Sequence, residues 1–251
     1  MPAHSIDEVI VQLDEIIARA RLDESRLGFF AVLYRNVTMK VKEGIKAGFF
    51  EDGPRMERLD VAFANRYLSA MESYRLGQQP SKCWLVSFEA ASAWPPLIVQ
   101  HLLLGMNAHI NFDLGIAAAE TCPGEELPSL QTDFNRINLV LGSMVLKVKE
   151  NIDQLSPWIK LIDSIDPITE DKIINFSLDK ARQSAWLVAT MLAPLSPAEQ
   201  SAKLQILDSA VAAFGRLLRQ PKGWLIKLAL LVIRLRESND IRRIIDVLSQ
   251  T

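Results

Sequence analysis

The stretch His101–Gly115, which reads HLLLGMNAHINFDLG, carries the main clue to both fold and function. Its apolar residues recur at helical spacing on nearly every side, which predicts a buried α-helix. Four polar side chains nevertheless follow within seven residues: Asn107, His109, Asn111 and Asp113. A buried polar group destabilises the fold unless it finds a hydrogen-bond partner. The segment therefore predicts either a polar network or a pocket inside a helical core.

The same helical period runs along nearly the whole chain. Ser5 and Glu8 form an S-x-x-E capping box before an apolar stripe, and Gly48 and Gly77 follow two further apolar segments as helix-ending residues. No alternating β-branched run bounded by hairpin turns occurs. We therefore predict an all-α protein, a single bundle of about eight to ten helices around a buried central helix near residues 96–118.

The length of 251 residues fits one large domain with a sizeable core. No internal repeat, low-complexity segment or long linker interrupts the chain. We predict a single helical domain over residues 1–251. The sequence DSIDP makes residues 163–168 a candidate sub-boundary within it.

Composition narrows the choice of partners. Hydrophobic residues make up 49% of the chain, and the formal net charge is -2, so no basic excess points to a nucleic-acid partner. Cys83 and Cys122 form neither a disulfide framework nor a zinc motif. The N-terminus lacks the features of a secretory signal, and the apolar stretch Trp224–Glu237 is too short and too charged for a transmembrane segment. We expect a cytoplasmic protein.

His109 and Asp113 lie one helical turn apart, on the same stripe as His101 and Gly105. An aspartate that accepts a hydrogen bond from one ring nitrogen fixes the tautomer of a histidine and raises the basicity of the other nitrogen. We predict that His109 and Asp113 form a catalytic acid–base pair. Gly105 removes a side chain from this stripe, which either leaves room for a ligand or allows close packing of a neighbouring helix.

A metal site is the alternative use of these residues. A zinc or magnesium ion would need further ligands from other helices, and Asp60 and Asp133 are the candidate carboxylates beside Asp113. The chain has three histidines and no metal-binding motif, so we predict no cofactor and assign no metal ligands.

Further polar residues within amphipathic helices are candidate substrate-binding residues. Asparagine is a poor residue for a helix interior because its side chain competes for backbone hydrogen bonds. The residues assigned to substrate binding are Arg58, Asp60, Tyr67, His101, Asn107, Asn111, Asp133 and Asn138.

The block HLLLGMNAHINFDLG, with FANRYLSAMESYR before it and DFNRINLVL after it, resembles an uncharacterised bacterial and fungal domain-of-unknown-function family. The resemblance spans residues 59–141 and extends more weakly over most of the chain. Because that family has no assigned activity, the resemblance implies a grouping and no reaction. The H-x-x-x-D spacing is also similar to that of helical zinc phospholipases and nucleases, but those proteins use many more histidines.

Two functions fit these observations. The first is an enzyme of the isomerase, cyclase or hydrolase type that uses the His109–Asp113 pair on a small, largely apolar molecule in a pocket of the bundle. The second is a non-catalytic ligand-binding or protein-interaction module, in which the polar cluster is a structural network. No G-x-S-x-G or nucleotide-binding glycine motif occurs. A homo-oligomer is compatible with both functions.

Overall fold

The computed structural model describes residues 1–93, 96–156, 158–159 and 178–250. These residues form eleven α-helices and no β-strand, which confirms the all-α prediction. In chain order the helices are α1 (Ile6–Leu22), α2 (Leu27–Lys46), α3 (Gly53–Arg75), α4 (Lys82–Ala91), α5 (Ile98–Ala108), α6 (Gly115–Thr121), α7 (Leu127–Leu155), α8 (Leu178–Leu192), α9 (Pro197–Arg219), α10 (Trp224–Arg234) and α11 (Ile241–Leu248). The candidate sub-boundary near residues 163–168 lies outside the described residues, and the single domain stays a prediction.

The helices begin and end at the residue types that the sequence indicates. The side chains of Ser5 and Asp52 accept hydrogen bonds from the first turns of α1 and α3, and so satisfy backbone N–H groups that have no partner within the helix. Gly48 and Gly77 follow α2 and α3 with φ angles of 67° and 72°, a left-handed conformation that glycine adopts without a steric penalty.

The central helix is divided into three parts. α5 is followed by a π-helical turn, His109–Leu114, and then by α6. α5 packs against α2, α4 and α9, whereas α6 packs against α3 and α8. By length and composition Ile98–Thr121 passes as a membrane-spanning helix, but 83% of its most apolar window is buried inside the protein. The structure therefore uses this segment as a core helix, as the sequence predicts.

Two glycines of this segment allow neighbouring elements to approach closely. A Cβ atom at Gly105 would lie 2.3 Å from the Phe30 ring, and one at Gly115 would lie 2.6 Å from the carbonyl oxygen of Ala185. Both distances are far below van der Waals contact, so neither position accepts a side chain without movement of its neighbour. The space left by Gly105 is filled by Phe30 of α2, which settles the two alternatives for this glycine in favour of close packing.

We expect Gly105→Ala to lower the free energy of unfolding by about 1–3 kcal/mol, because the added methyl group overpacks the core against Phe30. Gly142→Ala in α7 is the matched control, since a Cβ there meets no atom within 4 Å. The control should raise the free energy of unfolding by up to about 1 kcal/mol, because alanine favours the helix over glycine. Urea unfolding of the two variants measures both effects, and equal stabilities would contradict the Phe30 contact.

Candidate functional site

A cavity of about 600 Å³ lies beside the central helix. Its wall comes from α2, α3, α5, the π-helical turn, α7 and α8, and most of the lining side chains are leucine, isoleucine, valine, methionine or phenylalanine. This volume lies within the range of about 300–1,000 Å³ that is typical of small-molecule sites. The lining residues with polar groups are Tyr34, Asp60, His109, Lys149, Asp153 and Arg182.

Four of these residues have buried polar atoms without a hydrogen-bond partner among the described residues. One is Arg182, and the other three contribute the Tyr34 hydroxyl, Oδ2 of Asp60 and both ring nitrogens of His109. The latter three residues are 4%, 8% and 4% exposed. Most buried polar groups in proteins are hydrogen-bonded, so these unpaired groups on the wall of one cavity need an explanation. A ligand that carries a polar group would provide the missing partners.

Aromatic rings fix the position of His109. Its imidazole stacks on the Phe63 ring with a centroid distance of 3.5 Å and an interplanar angle of 11°. The Tyr34 ring approaches it at 4.2 Å and 66°, and the Phe30 ring at 5.6 Å and 74°. Aromatic pairs of this kind favour defined geometries. The imidazole is therefore held by ring packing, and neither of its nitrogens has a hydrogen-bond partner in the ranges that the structure describes.

The predicted hydrogen bond between His109 and Asp113 is not formed. Asp113 Oδ2 lies 3.8 Å from His109 Nδ1, beyond hydrogen-bond distance. The carboxylate instead accepts hydrogen bonds from Trp84 Nε1 at 2.7 Å and from Arg66 Nε at 3.0 Å. Asp113 is also absent from the cavity wall. At 3.8 Å the two side chains lie within ion-pair distance without a hydrogen bond, and their role as a catalytic pair stays a prediction. The hydrogen bonds of the carboxylate tie the π-helical turn to α3 and α4.

Burial sets the protonation states at this end of the cavity. It raises the pKa of Asp60 to about 7, with a further contribution from the charge of Glu57. It lowers the pKa of His109 below its ordinary value, although Asp113 acts in the opposite direction. Near neutral pH the histidine is thus uncharged, and Asp60 is close to half protonated. The two side chains can act as both donors and acceptors of hydrogen bonds and of protons.

The structure brings only two of the ten predicted site residues, His109 and Asp60, to the cavity wall. Tyr67 lies behind it, fully buried, with its ring 6.3 Å from the His109 ring and its hydroxyl without a partner among the described residues. Arg58 is exposed on the outer side of α3. His101 is buried elsewhere, packed edge-on against Phe29, and burial lowers its pKa to about 3.

The asparagines on the central helix form a structural link. Asn111 donates a hydrogen bond to Oδ1 of Asn107, and Asn107 donates to the carbonyl oxygen of Val211 in α9. Neither residue lines the cavity. This chain satisfies the amide groups and joins the central helix to α9, so it corresponds to the structural network that the sequence left open. Asn138 of α7 also lies away from the cavity, half-buried.

Asp133 organises the connection between α2 and α3. It accepts hydrogen bonds from the backbone N–H groups of Glu51 and Asp52 and from the guanidinium groups of Arg55 and Arg136. Burial alone would raise its pKa, but these donors outweigh burial and hold the pKa below the ordinary value. Asp133 therefore stays ionised and has a structural position away from the cavity.

The candidate metal ligands are not assembled. Within the described ranges, no group of three or more histidine, cysteine, aspartate or glutamate side chains is arranged to hold a metal ion. Asp113 and Asp133 bind arginines in separate parts of the fold.

Sequence reasoning missed four of the six polar residues on the cavity wall: Tyr34, Lys149, Asp153 and Arg182. Arg182 had a recognisable signal, because it occupies one position of the heptad-like stripe Leu178, Arg182, Ala185, Ala189 and Leu192 in α8. A lone arginine at an apolar position of a helix predicts a buried cation. Tyr34 lies in the run FFAVLY, where its side chain could not be distinguished from those of ordinary core residues.

The described residues form an all-α protein with a largely apolar cavity beside the central helix. The family of unknown function DUF5995 matches residues 6–221, which is most of the chain and includes every residue named on the cavity wall. The chain therefore belongs to this family. Comparison with curated proteins and with solved structures gives no match.

We expect the free energy of unfolding of Asp60→Asn to increase relative to that of the unaltered chain as the pH rises from about 4 to about 7. The difference should reach up to about 4 kcal/mol. The folded-state pKa of Asp60 is raised from 3.8 to about 7, so the folded protein holds this proton more tightly than the unfolded chain does. The stabilisation is complete below pH 3.8 and is lost as the pH rises through 7. Asparagine has no proton to lose, and urea unfolding at several pH values measures the difference.

Asp133→Asn provides the control of opposite sign. Because the folded-state pKa of Asp133 lies below the ordinary value, its ionised form stabilises the fold at neutral pH, and that stabilisation disappears in acid. This variant should therefore be less stable than the unaltered chain at pH 7, with the deficit shrinking as the pH falls below 3.8. A constant difference between Asp60→Asn and the unaltered chain across this range would contradict the environment described for Asp60.

Proposed function

We propose that this protein binds a small, largely apolar molecule in the cavity, and that a polar group of this molecule contacts Tyr34, Asp60 and His109. The observation that carries the proposal is that these three residues line a largely apolar cavity and that each has a buried polar atom without a partner among the described residues. An unpaired buried donor or acceptor costs about 1–3 kcal/mol. A ligand with one hydroxyl, carbonyl or amine group would meet these atoms and would fill the apolar remainder.

A structural network is the competing explanation for buried polar residues, and it fits other parts of this fold. Asn107, Asn111, Asp113 and Asp133 all have hydrogen-bond partners, and none of them lines the cavity. Tyr34, Asp60 and His109 differ, because each has a buried polar atom without a partner among the described residues. His101, Tyr67 and Asn138 share that property away from the cavity, so what supports a binding site is the combination of an unpaired atom with a place on the cavity wall.

Acid–base catalysis on the bound molecule is the second candidate, and the environment of Asp60 favours it. A carboxyl group with a pKa near 7 both gives and takes protons at neutral pH, which is the property expected of a general acid or base. His109 is uncharged and has two free ring nitrogens, so it would act as the partner base. In this version of the enzyme hypothesis, Asp60 takes the role that the sequence assigns to Asp113.

We expect the neutral fluorescent probe N-phenylnaphthylamine to bind saturably at one site, because it combines apolar rings with one N–H group. Leu141→Trp should weaken this binding about tenfold, since the indole occupies space on the cavity wall. Leu139→Trp is the matched control on the same helix, because Leu139 is 67% exposed and does not line the cavity. Fluorescence titration measures both variants, and equal binding by the two would overturn the proposal.

We expect Tyr34→Phe to raise the free energy of unfolding of the empty protein by about 1–3 kcal/mol, because it removes an unpaired buried hydroxyl. The same change should weaken the binding of N-phenylnaphthylamine, because the Tyr34 hydroxyl is one of the groups expected to accept a hydrogen bond from the N–H of the probe. Tyr67→Phe is the control: the Tyr67 hydroxyl is also unpaired but lies off the cavity wall. It should stabilise the fold without changing probe affinity, and a similar loss of affinity in both variants would argue against the assigned site.

A further inference from the structure

Arg182 is a buried cation on the wall of the cavity. It is 5% exposed, and its guanidinium carbon lies 4.4 Å from the centroid of the Phe134 ring. One terminal nitrogen donates a hydrogen bond to the carbonyl oxygen of Phe134, whereas Nε has no partner within the described part of the chain. A guanidinium carries five N–H donors, so one carbonyl and one ring face leave much of its hydrogen-bonding capacity unused.

No carboxylate among the described residues forms an ion pair with Arg182. Asp179 of the same helix favours the charged guanidinium, but its side chain is exposed and makes no direct contact with it. Burial lowers the pKa of Arg182 to about 10, which still leaves the side chain protonated at neutral pH. A buried charge without a counter-ion is strongly unfavourable. Among the described residues, this positive charge at the cavity therefore has no anion paired with it.

The anion that fits this position is a monoanion on an apolar body. The described part of the wall has one buried cation, which balances a single negative charge, and one cation with an exposed side chain, Lys149. The carboxyl groups of Asp60 and Asp153 line the same cavity and disfavour a second negative charge on the ligand. Arginine binds carboxylates particularly well because their two oxygens match two of its N–H groups. The leucine, isoleucine and methionine side chains around the remainder of the chamber suit a hydrocarbon chain or ring system.

We infer that the molecule bound in the cavity is an amphipathic carboxylic acid. Its carboxylate pairs with Arg182, and its apolar body, apart from the polar group at Tyr34, Asp60 and His109, fills the chamber. This inference rests on the proposed function, because it names the class of ligand for the same site. It goes beyond that proposal because it requires a negatively charged group on the ligand, whereas contact with Tyr34, Asp60 and His109 requires only a polar group.

A ligand series on the unaltered protein tests the inference. Dodecanoate, dodecanol, methyl dodecanoate and dodecylamine share one apolar chain and differ in the head group. We expect isothermal titration calorimetry at neutral pH to show dodecanoate binding at least about tenfold more tightly than dodecanol or methyl dodecanoate, with dodecylamine the weakest. Equal affinities for the acid and the two neutral compounds would overturn the inference.

Variants then locate the charge that recognises the acid. In Arg182→Met, dodecanoate and dodecanol should bind with about equal affinity, because the charge that favours the acid is gone. The affinity for dodecanol should stay the same. Arg216→Met is the matched control, because Arg216 is exposed on α9 and does not line the cavity, and it should keep the full preference. Should Arg182→Met fail to fold, the ligand series on the unaltered chain still decides the inference.

The outcomes separate the two proposals. If N-phenylnaphthylamine and dodecanol bind but dodecanoate shows no advantage, the acid specificity is wrong and the apolar site stands. If none of these compounds binds, both proposals are wrong. A preference for dodecanoate that survives in Arg182→Met would place the acid elsewhere and would overturn the assignment to Arg182.

Discussion

The buried carboxylate of Asp113 is the interaction on which the geometry of the site depends. It accepts hydrogen bonds from Trp84 of α4 and Arg66 of α3, so it fastens the π-helical turn of the central helix to two neighbours. Removal of one partner from a buried charged pair is strongly destabilising, because the other charge is left without compensation. This turn is therefore held in one position, and His109 at its start faces the cavity.

The π-helical turn His109–Leu114 contributes both to the packing of the core and to the candidate site. Single π-helical turns within α-helices occur frequently at functional sites. Here the turn divides α5, which carries the Asn107 link to α9, from α6, which packs closely on α8 at Gly115. Its own residues place Asp113 among hydrogen-bond donors and His109 among aromatic rings.

Most of the fold could be predicted from the sequence, but only part of the candidate site could be. Helical period, the Ser5 cap and the terminal glycines Gly48 and Gly77 act locally, so the printed residues are enough to identify them. The partner of a buried polar group comes from another helix, and no pattern within one helix shows it. Asp113 illustrates this limit, because its spacing from His109 predicts a pair, whereas Trp84 and Arg66 occupy both of its oxygens. Tyr34 and Arg182 likewise meet the cavity through tertiary packing alone.

The unpaired buried groups together destabilise the empty protein more than any one of them does. Small proteins are stable by about 5–15 kcal/mol, and each unpaired buried polar group costs about 1–3 kcal/mol. The unpaired groups on the cavity residues therefore lower the free energy of unfolding by a large fraction of its total. The four residues, which all line one cavity, are Tyr34, Asp60, His109 and Arg182. Natural proteins retain such costs mainly where function requires them. A molecule that pairs with these groups would bind the folded state alone, so occupancy would return stability to the protein in proportion to its affinity.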